Sequence, residues 1–329
     1  MKLSIIIPVY NTAEYLPACL DSVICANHDE YEIIIINDGS TDNSEEIAAS
    51  YQIKYPKLIQ LISTENGGLG TARNHGIKAA SGEFLVFLDS DDTLAPGALS
   101  EILAIADGSF DICIFDLQQT NIDGDYIGVI NGTEKRGCFS LDSYPELLFQ
   151  APAACNKIIR RSLFIDNNIL FPSRVWFEDL GTIPKLYPHA ANIVSVDKKW
   201  YHYLMRSGSI TNSKNTLRNL EMIDIVDTIL EHYRKSGSYE KYAPELEYMA
   251  FYNQYLTSCT RVNLAQWNSP VQTQLIENYC SKFPNYRENK YFRLMPRKYK
   301  LLEKFLSKHN WLAVHLIMKA NSLLKNKKT

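Results

Sequence analysis

Residues 84–92, Phe84-Leu85-Val86-Phe87-Leu88-Asp89-Ser90-Asp91-Asp92, join a run of apolar side chains to three carboxylates. A continuous apolar run of this length, bounded by polar residues, is typical of a strand buried on both faces. Because an unpaired carboxylate is costly to bury, we expect the three acids at the carboxyl end of this strand, in a crevice. Ligands of open α/β sheets bind at that edge, so the acids are predicted to face a metal ion, a cationic ligand or ligand hydroxyls. A helix N-cap would account for one aspartate but not for three.

Apolar strands alternate with amphipathic helices on both sides of this stretch. Further strands are predicted at Leu3–Ile7, Tyr31–Ile36, Leu58–Ile62 and Asp111–Asp116. Helices are predicted between them, at Ala13–Ala26, up to Tyr55, at Thr71–Ala80 and at Pro96–Ala106. Such alternation forms βαβ crossovers, which build a parallel sheet and bring the loops at the carboxyl ends of its strands to one edge. The predicted fold class is therefore α/β, with a Rossmann-like, mostly parallel sheet flanked by helices.

The second half of the sequence is organised differently. Residues 117–214 are predicted to contain a hairpin at Tyr126–Phe139, a helix at Leu141–Gln150 and an aromatic, strand-like segment at Ile193–Met205. From residue 216 onward only helical periods are found, and they predict helices at Leu217–Arg234, Pro244–Val262, Pro270–Phe283 and Tyr299–Leu324. We therefore predict an α/β domain at residues 1–214, with halves at 1–116 and 117–214, followed by a helical C-terminal region at 215–329.

Composition excludes several classes of function. The chain has 329 residues and a net charge of −3, which gives no indication of nucleic-acid binding. None of the seven cysteines stands in a C-x-x-C pair, so a zinc site is not expected. We expect instead the reduced thiols of a cytosolic protein. The apolar run at the N-terminus is predicted to be a strand and not a signal peptide. No apolar segment approaches the roughly 20 residues of a transmembrane helix.

The last 39 residues, 291–329, are strongly basic, with ten lysines and arginines and one acid, Glu303. Leucines and a tryptophan, Trp311, are interleaved with these charges. A basic amphipathic helix of this kind can lie on an anionic membrane surface. It can equally dock on its own domain and expose a solvated basic face, and the sequence leaves both interpretations open.

Two acidic loops and an arginine are expected to share one edge of the sheet. Asp38-Gly39-Ser40 follows the second strand, Asp89 to Asp92 follow the fourth, and Arg73 opens the helix after Gly67-Gly68-Leu69-Gly70. This set suits a nucleoside diphosphate, because carboxylates can accept hydrogen bonds from a base or ribose and can bind a divalent metal. A guanidinium and a helix N-terminus can neutralise phosphate. The glycines do not form a dinucleotide fingerprint, since the third glycine is missing and the loop follows the third strand.

Four segments, taken in order, resemble the bacterial family-2 glycosyltransferases, which have the GT-A fold. They are Ser4–Asn11, Asn37–Asp42, Asn66–Asn74 and Phe87–Asp92, the last of which contains the D-x-D element. The close resemblance covers about residues 1–116, and looser similarity continues to about 211.

The resemblance implies roles for the residues of these segments. Pro8, Val9, Tyr10 and Asp38 would hold the base, most often uracil, of a sugar nucleotide, and the adjoining donor-loop residues are Asn11, Gly39, Ser40 and Ser90. Asp89 would lie near the ribose and donor sugar, and Arg73 beside the phosphates or donor. Asp91 would coordinate Mg²⁺ or Mn²⁺, and Asp92 could share that task.

The resemblance also implies an inverting mechanism and a site for its general base. Glu178-Asp179 matches the E-D pair of the family, whose second acid is the usual base. Residues 201–211 resemble a segment that closes over the diphosphate, with Arg206 and Ser209 as candidates, although Leu204 stands where the family has an arginine. His202 is either a metal ligand or a hydrogen-bonded member of an aromatic cluster. Asn156 and Lys157 match a segment near the acceptor.

The predicted function is the metal-assisted, inverting transfer of a sugar from a UDP-sugar to a hydroxyl of a glycan or lipid-linked acceptor, in cell-surface polysaccharide synthesis. Two alternatives remain open, a sugar-phosphate nucleotidyltransferase and a non-catalytic module that binds a membrane surface or a partner. The expected location is the cytoplasm, with peripheral attachment to the inner face of the cell membrane as an option.

Overall fold

The computed structural model of the chain describes residues 1–24, 29–206 and 215–325, and it describes side chains as far as residue 320. The chain forms two compact units, Met1–Ser209 and Ile210–Thr329. Among the described residues, no helix combines the length and the apolar character that crossing a membrane requires.

The first unit contains the strands β1 (Leu3–Val9), β2 (Tyr31–Asn37), β3 (Ile59–Ser63), β4 (Phe84–Phe87), β5 (Thr93–Leu94), β6 (Ile112–Ile114), β7 (Leu117–Thr120), β8 (Tyr126–Ile130), β9 (Gly137–Phe139), β10 (Lys157–Arg160), β11 (Ile193–Ser195) and β12 (Tyr201–Leu204). Its helices are α1 (Leu16–Ser22), α2 (Ser44–Lys54), α3 (Leu69–Ala79), α4 (Ala98–Ile105), α5 (Ser162–Ile165) and α6 (Ile183–Leu186), with 3₁₀ turns at Pro145–Phe149 and Tyr187–His189.

The large sheet has eight strands in the order β3-β2-β1-β4-β10-β6-β11-β9. Strands β3, β2, β1 and β4 are parallel neighbours, and the apolar side chains of β1, β2 and β4 are buried. The predicted α/β class with a mostly parallel sheet is therefore confirmed. The predicted fifth strand corresponds to β6, but it does not pair with β4. Instead β10 inserts antiparallel between the two, with Ile158 opposite both Val86 and Cys113.

A second, four-stranded sheet has the order β5-β12-β7-β8. Its strand β12 pairs antiparallel with β5, which follows Asp92 directly, and parallel with β7. The aromatic segment at 201–204 is thereby held beside the acidic loop after β4. The predicted hairpin at 126–139 is wrong, because β8 pairs with β7 in this sheet whereas β9 pairs with β11 in the large one. The helix predicted at 141–150 is reduced to the 3₁₀ turn at Pro145–Phe149.

The second unit is helical throughout its described residues, as the sequence predicts. Its helices are α7 (Glu221–Lys235), α8 (Ala243–Ala250), α9 (Cys259–Ala265), α10 (Pro270–Lys282), α11 (Lys290–Leu294), α12 (Arg297–Leu306) and α13 (Trp311–Lys325), with a π-helical segment, Phe251–Ser258, between α8 and α9. The single helix predicted at 299–324 is two helices. The chain breaks between them, where His309 has a φ of 53°.

Candidate active site

The loops after β1, β2 and β3 are tied to one another by hydrogen bonds at the edge of the sheet. The Asp38 carboxylate accepts from the backbone N–H groups of Gly67 and Gly68, at 2.7 and 2.8 Å. The Asn11 side chain accepts from the Thr41 N–H at 2.7 Å, and Asn11 itself has a left-handed φ of 52°. Both predicted donor loops therefore have a fixed shape before any ligand arrives.

Glycine is required at two positions around these loops. Gly39 has a φ of 69°, and a Cβ there would lie 2.9 Å from the backbone nitrogen of Asn66. In α3, a Cβ on Gly70 would lie 2.2 Å from the carbonyl oxygen of Pro172. The first glycine permits the turn after β2, and the second permits close packing of α3 against the segment before Glu178.

The residues predicted to hold the base differ in accessibility. Pro8 and Val9 are in β1 and buried, so they can contribute backbone only at the edge of the sheet. Tyr10, directly after them, is 50% exposed, and Ser40 accepts a hydrogen bond from the Asn11 N–H at 3.2 Å. Tyr10 is thus the residue of this group whose ring is open to a planar ligand.

Asp92 braces the acidic loop from within. Its Oδ2 accepts from the Tyr201 hydroxyl at 2.6 Å, and its Oδ1 accepts from the Leu204 N–H at 2.7 Å. Burial, and then the charges of Asp89 and Asp91, raise the pKa of Asp92 to about 8. A buried carboxylate that is mostly protonated at neutral pH is a poor metal ligand. The protein donors on both Asp92 oxygens, together with the raised pKa, therefore disfavour the metal-binding role that the resemblance allows for Asp92.

Asp91 and Arg206 form an ion pair at the surface of the loop. Arg206 donates from Nη2 at 2.7 Å and from Nε at 2.8 Å to the same Asp91 oxygen, and its guanidinium lies over the Tyr15 ring. Burial and the neighbouring Asp89 raise the pKa of Asp91, whereas Arg206 lowers it. Both side chains are about a quarter exposed. Ser209, the other residue predicted in this segment, lies outside the described residues.

Arg73 is the hub of the site. It donates from Nη2 to Asp89 at 3.0 Å, and from Nη1 to Glu178 at 3.1 Å and Asp179 at 2.6 Å. The residue is 1% exposed, and its guanidinium lies beside the Phe171 ring, at 5.3 Å from the centroid. Burial alone would lower the pKa of Arg73, but the three carboxylates raise it above its ordinary value. The resemblance implies a position for Arg73 beside the phosphates or donor, and in the structure its guanidinium binds these three carboxylates.

The predicted base, Asp179, is therefore held beside the acidic loop. Arg73 binds its Oδ1, the Ala154 N–H donates to its Oδ2 at 3.0 Å, and its side chain remains 23% exposed. Burial raises the pKa of Asp179 above its ordinary value, while Arg73 and the Ala154 N–H oppose that rise. For Glu178, burial and the adjacent Asp179 raise the pKa to about 7. A carboxylate with a raised pKa and an open edge is suited to accept a proton near neutral pH.

Three other predicted residues lie away from open solvent or away from the acids. Asn156 and Lys157 are fully buried, so their side chains do not line an open acceptor surface. His202 alternates with Tyr201 along β12, and successive side chains of a strand point to opposite faces. Tyr201 faces Asp92, whereas His202 contacts the Tyr126 ring at 5.4 Å. This position matches the aromatic-cluster interpretation of His202 and disfavours the metal-ligand one.

Some site residues were missed by the sequence analysis. Tyr201 bonds Asp92 and also accepts from the Asp89 N–H at 3.1 Å, across 112 residues of sequence. The Thr12 hydroxyl donates to the Ser90 hydroxyl at 2.8 Å. Ser90 is among the predicted site residues, whereas Thr12 is not. The Ala154 N–H carries no side-chain signal at all. Only the tyrosine could have been noticed, as a polar aromatic residue within an apolar strand.

Comparison with known proteins places this geometry in a family. The profile described as glycosyl transferase family 2 matches residues 4–167. The chain is 30% identical over 256 residues to the putative glycosyltransferase EpsH of Bacillus subtilis, across 74% of this chain and 72% of that protein. It is 33% identical over 227 residues to a poly(ribitol-phosphate) beta-glucosyltransferase of Bacillus spizizenii, across 63% of this chain and 33% of that protein.

A solved structure has the same fold. The crystal structure of S. aureus TarS 1-349 aligns with a TM-score of 0.70 at 22% identity, covering 98% of this chain and 92% of that one. The same part of TarS in complex with UDP-GlcNAc aligns with a TM-score of 0.56 at 23% identity, covering 88% and 92%. These findings favour sugar transfer over the nucleotidyl transfer and the non-catalytic role that the sequence left open. The chain belongs to glycosyl transferase family 2 and is a glycosyltransferase with a GT-A-type fold.

Proposed function

We propose that this glycosyltransferase moves a sugar from a UDP-sugar to a hydroxyl of a glycan or lipid-linked acceptor, with inversion at the anomeric carbon and with Asp179 as the general base. One observation carries the proposal. A single buried guanidinium, that of Arg73, binds Asp89 of the D-x-D loop and Asp179 of the predicted acceptor half. The acid expected beside the donor sugar and the acid expected to take the proton are therefore held at neighbouring positions.

The donor is assigned to the edge formed by the loops after β1, β2 and β4. Tyr10 offers an exposed ring for a base, and Asp89 keeps a partly exposed carboxylate for ribose or sugar hydroxyls. Uracil is preferred as the base because S. aureus TarS, whose fold this chain shares, has been solved with UDP-GlcNAc. The names of EpsH and of the poly(ribitol-phosphate) beta-glucosyltransferase describe both relatives as glycosyltransferases, and the second name includes a polymer, poly(ribitol-phosphate).

A divalent cation, Mg²⁺ or Mn²⁺, fits one residue of the site. Asp91 is partly exposed, and a cation could replace the Arg206 guanidinium that its carboxylate binds. Within the described part of the chain, no group of three or more His, Cys, Asp or Glu is arranged to hold a metal ion. Asp91 is the residue that would hold the cation through its carboxylate oxygens. When bound, the cation would supply charge neutralisation for the leaving diphosphate.

The chemical step requires a base on the side of the sugar opposite the diphosphate. The acceptor oxygen forms a bond to the anomeric carbon while the bond from that carbon to the diphosphate breaks, and UDP leaves with the electron pair. Asp179 accepts the proton of the acceptor hydroxyl. Its fixed Oδ1 and Oδ2 hydrogen bonds orient the carboxylate, and its partial exposure leaves room for the acceptor. Turnover should rise with pH, because only the ionised form can take the proton and burial raises its pKa.

Metal-dependent hydrolysis of UDP-sugars tests this assignment without knowledge of the acceptor. UDP-glucose, UDP-galactose and UDP-GlcNAc are incubated with MnCl₂, and UDP release and UDP affinity are measured. Asp179→Asn should lower hydrolysis by about 100-fold or more and leave UDP affinity nearly unchanged. Asp91→Asn should lose the dependence of UDP affinity on Mn²⁺.

Asp123→Asn, in the exposed turn after β7, is the control and should change neither quantity. No UDP binding by the unaltered chain would reject the donor assignment. Loss of UDP binding in Asp179→Asn would reject the division between donor and base residues.

We further propose that residues 291–329 contact the anionic inner face of the cell membrane. In the described part of this segment Leu302, Leu306 and Val314 are buried. Four other leucines remain 45–81% exposed, namely Leu294, Leu301, Leu312 and Leu316. The one acid of the segment, Glu303, is buried and bound to Tyr286 and Arg287, so the exposed charges are basic. Docking onto the second unit and a membrane-facing side are therefore compatible.

Sedimentation with phosphatidylcholine vesicles, with and without phosphatidylglycerol, tests the membrane contact. The full chain should pellet only with the anionic vesicles, and added salt should weaken the effect. The double variant Leu294→Asn, Leu301→Asn should bind less. Ile53→Asn, which removes a side chain that is 80% exposed in α2, is the matched control. A full chain that stays in the supernatant at low salt would contradict this proposal and leave the catalytic one intact.

A further inference from the structure

Lys157 is a buried cation whose position the catalytic assignment does not use. It is 0% exposed at the start of β10, and its Nζ donates to the Ala153 carbonyl at 2.7 Å and to the Asn156 Oδ1 at 2.8 Å. Among the described residues no carboxylate forms an ion pair with it. An ammonium group is costly to bury against neutral acceptors alone, so its retention at this point calls for a physical role.

Lys157 and Asp179 bind opposite ends of the same peptide group, the one that joins Ala153 to Ala154. Its oxygen, on Ala153, accepts from the Lys157 ammonium, and its N–H, on Ala154, donates to Asp179 Oδ2 at 3.0 Å. The peptide is planar and its dipole is polarisable, so a cation on the oxygen strengthens donation by the N–H. The Lys157 charge therefore acts on the candidate base, Asp179, by polarising the peptide between them, and the two side chains do not need to touch.

We propose that Lys157 is a positioning residue for Asp179, which acts through the 153–154 peptide to orient the carboxylate and to stabilise its ionised form. This inference rests on the proposed role of Asp179 as general base. Asn156 supports the arrangement, because its Nδ2 donates to the Phe115 carbonyl at 3.1 Å while its Oδ1 holds Lys157. Lys157, which the resemblance predicts near the acceptor, would then support Asp179 from the buried side of the site.

The charges around Asp179 come from several elements. Arg73 of α3 contacts it, Asp89 follows β4, Glu178 precedes it, and Cys155 lies near both Asp179 and Lys157. Burial raises the pKa of Asp179, Asp89 raises it further, and Arg73, the Ala154 N–H and Lys157 lower it. Burial also lowers the pKa of Lys157 to about 8, although Cys155 and Asp179 oppose that change. We call the path from Lys157 through the 153–154 peptide to Asp179 the relay. Its lysine is charged at neutral pH and loses its charge in mildly alkaline solution.

Lys157→Gln tests the relay, because glutamine retains an N–H donor for the Ala153 carbonyl and removes the charge. Loss of the charge should raise the pKa of Asp179. Since a general base works only when ionised, the acidic limb of kcat/KM for UDP-sugar hydrolysis should move to higher pH by about one unit. On the acidic limb the variant should be slower than the unaltered chain, by up to about tenfold, and it should approach the unaltered chain above pH 8, where Lys157 is itself neutral.

Lys198→Gln provides the matched control, since it removes the charge of a lysine that is exposed and pairs with Glu101. Its pH profile should coincide with that of the unaltered chain. An unshifted acidic limb in Lys157→Gln, or a loss of activity by the same factor at every pH, would overturn the relay. Full activity of Asp179→Asn would overturn the proposed base instead, and the two failures are thereby separated.

A measurement on the unaltered chain covers the case in which Lys157→Gln does not fold. The ¹⁵N and ¹H shifts of the Ala154 amide are followed from pH 5 to pH 10. The relay requires that this amide respond to two titrations, one from Asp179 and one near pH 8 from Lys157. An Ala154 amide that responds to the lower titration only would reject the link to Lys157.

Discussion

Replacement of Arg73 by methionine should destabilise the first unit in a way that depends on pH. The substitution removes the guanidinium, which lies over the rings of Phe87 and Phe171, and keeps much of the apolar stem of the side chain. Asp89, Glu178 and Asp179, which that one group binds at 2.6–3.1 Å, would be left as a cluster of like charges. Removal of one partner from a buried ion pair costs about 3–5 kcal/mol. For a unit of this size that loss corresponds to a fall of about 10 °C in Tm at neutral pH.

The direction of the pH dependence follows from the carboxylates. Burial already raises the pKa values of Glu178 and Asp179, and without Arg73 they should rise further. A carboxylate whose pKa is higher in the folded than in the unfolded chain binds protons preferentially when folded. Stability then falls as pH increases from the unfolded pKa to the folded one. The deficit of Arg73→Met should therefore be small at pH 5 and largest above pH 7.

Calorimetric unfolding of both proteins at pH 5, 6, 7 and 8 measures this difference. Arg160→Met is the control, because Arg160 also binds two carboxylates, those of Asp111 and Glu83. Its side chain is 21% exposed, and those of Asp111 and Glu83 are 20% and 51% exposed. Partly solvated charges tolerate loss of a partner better, so this variant should lose about 1 kcal/mol, with little pH dependence. An Arg73→Met deficit that is the same at pH 5 and pH 8 would refute the charge-hub interpretation of Arg73.

Three further substitutions probe the frame of the site. Asp92→Asn should flatten the decline in stability between about pH 4 and pH 8, because the pKa of Asp92 is raised to about 8 in the folded chain, and a urea titration at both pH limits would detect it. Gly70→Ala should lower Tm by several degrees, since its Cβ would lie 2.2 Å from the Pro172 carbonyl oxygen; an unchanged Tm would contradict that close approach. Tyr10→Ala should weaken UDP binding by about tenfold if its exposed ring stacks on the base, as calorimetric titration can establish.

The sequence predicted the first four strands and the loops after them because these signals are local. The strands β1 to β4 consist mostly of apolar residues, and each is followed by a loop whose polar residues identify the carboxyl end. Parallel connection then brings these loops together without further information. By contrast, nothing in the apolar run Ile158-Ile159 specifies that it inserts antiparallel between β4 and β6. Strand order depends on pairing partners that are distant in the sequence.

The functional roles were predicted unevenly for the same reason. Asp89, Asp91 and Asp179 stand in recognisable motifs, and in the structure Asp89 and Asp179 bind the same guanidinium, that of Arg73. Arg73 is predicted beside the phosphates or donor, and nothing in the sequence indicates its contacts with carboxylates 105 and 106 residues away. Lys157 is predicted near the acceptor, and nothing in the sequence indicates that its partners are a backbone carbonyl and an amide. Buried charges of this kind become interpretable only when their acceptors are known.

The balance of charge explains why a cation and Arg206 are both expected to accompany the donor. Five carboxylates converge on this site, those of Asp89, Asp91, Asp92, Glu178 and Asp179, against the two guanidinium groups of Arg73 and Arg206. Protonation of Asp92, and partial protonation of Glu178, reduces the excess of negative charge without removing it. A diphosphate would add more. Because Arg73 is buried and committed to three acids, it cannot neutralise that addition. Arg206 can turn from Asp91 to phosphate only if another cation replaces it at Asp91, so metal binding and donor binding should be cooperative.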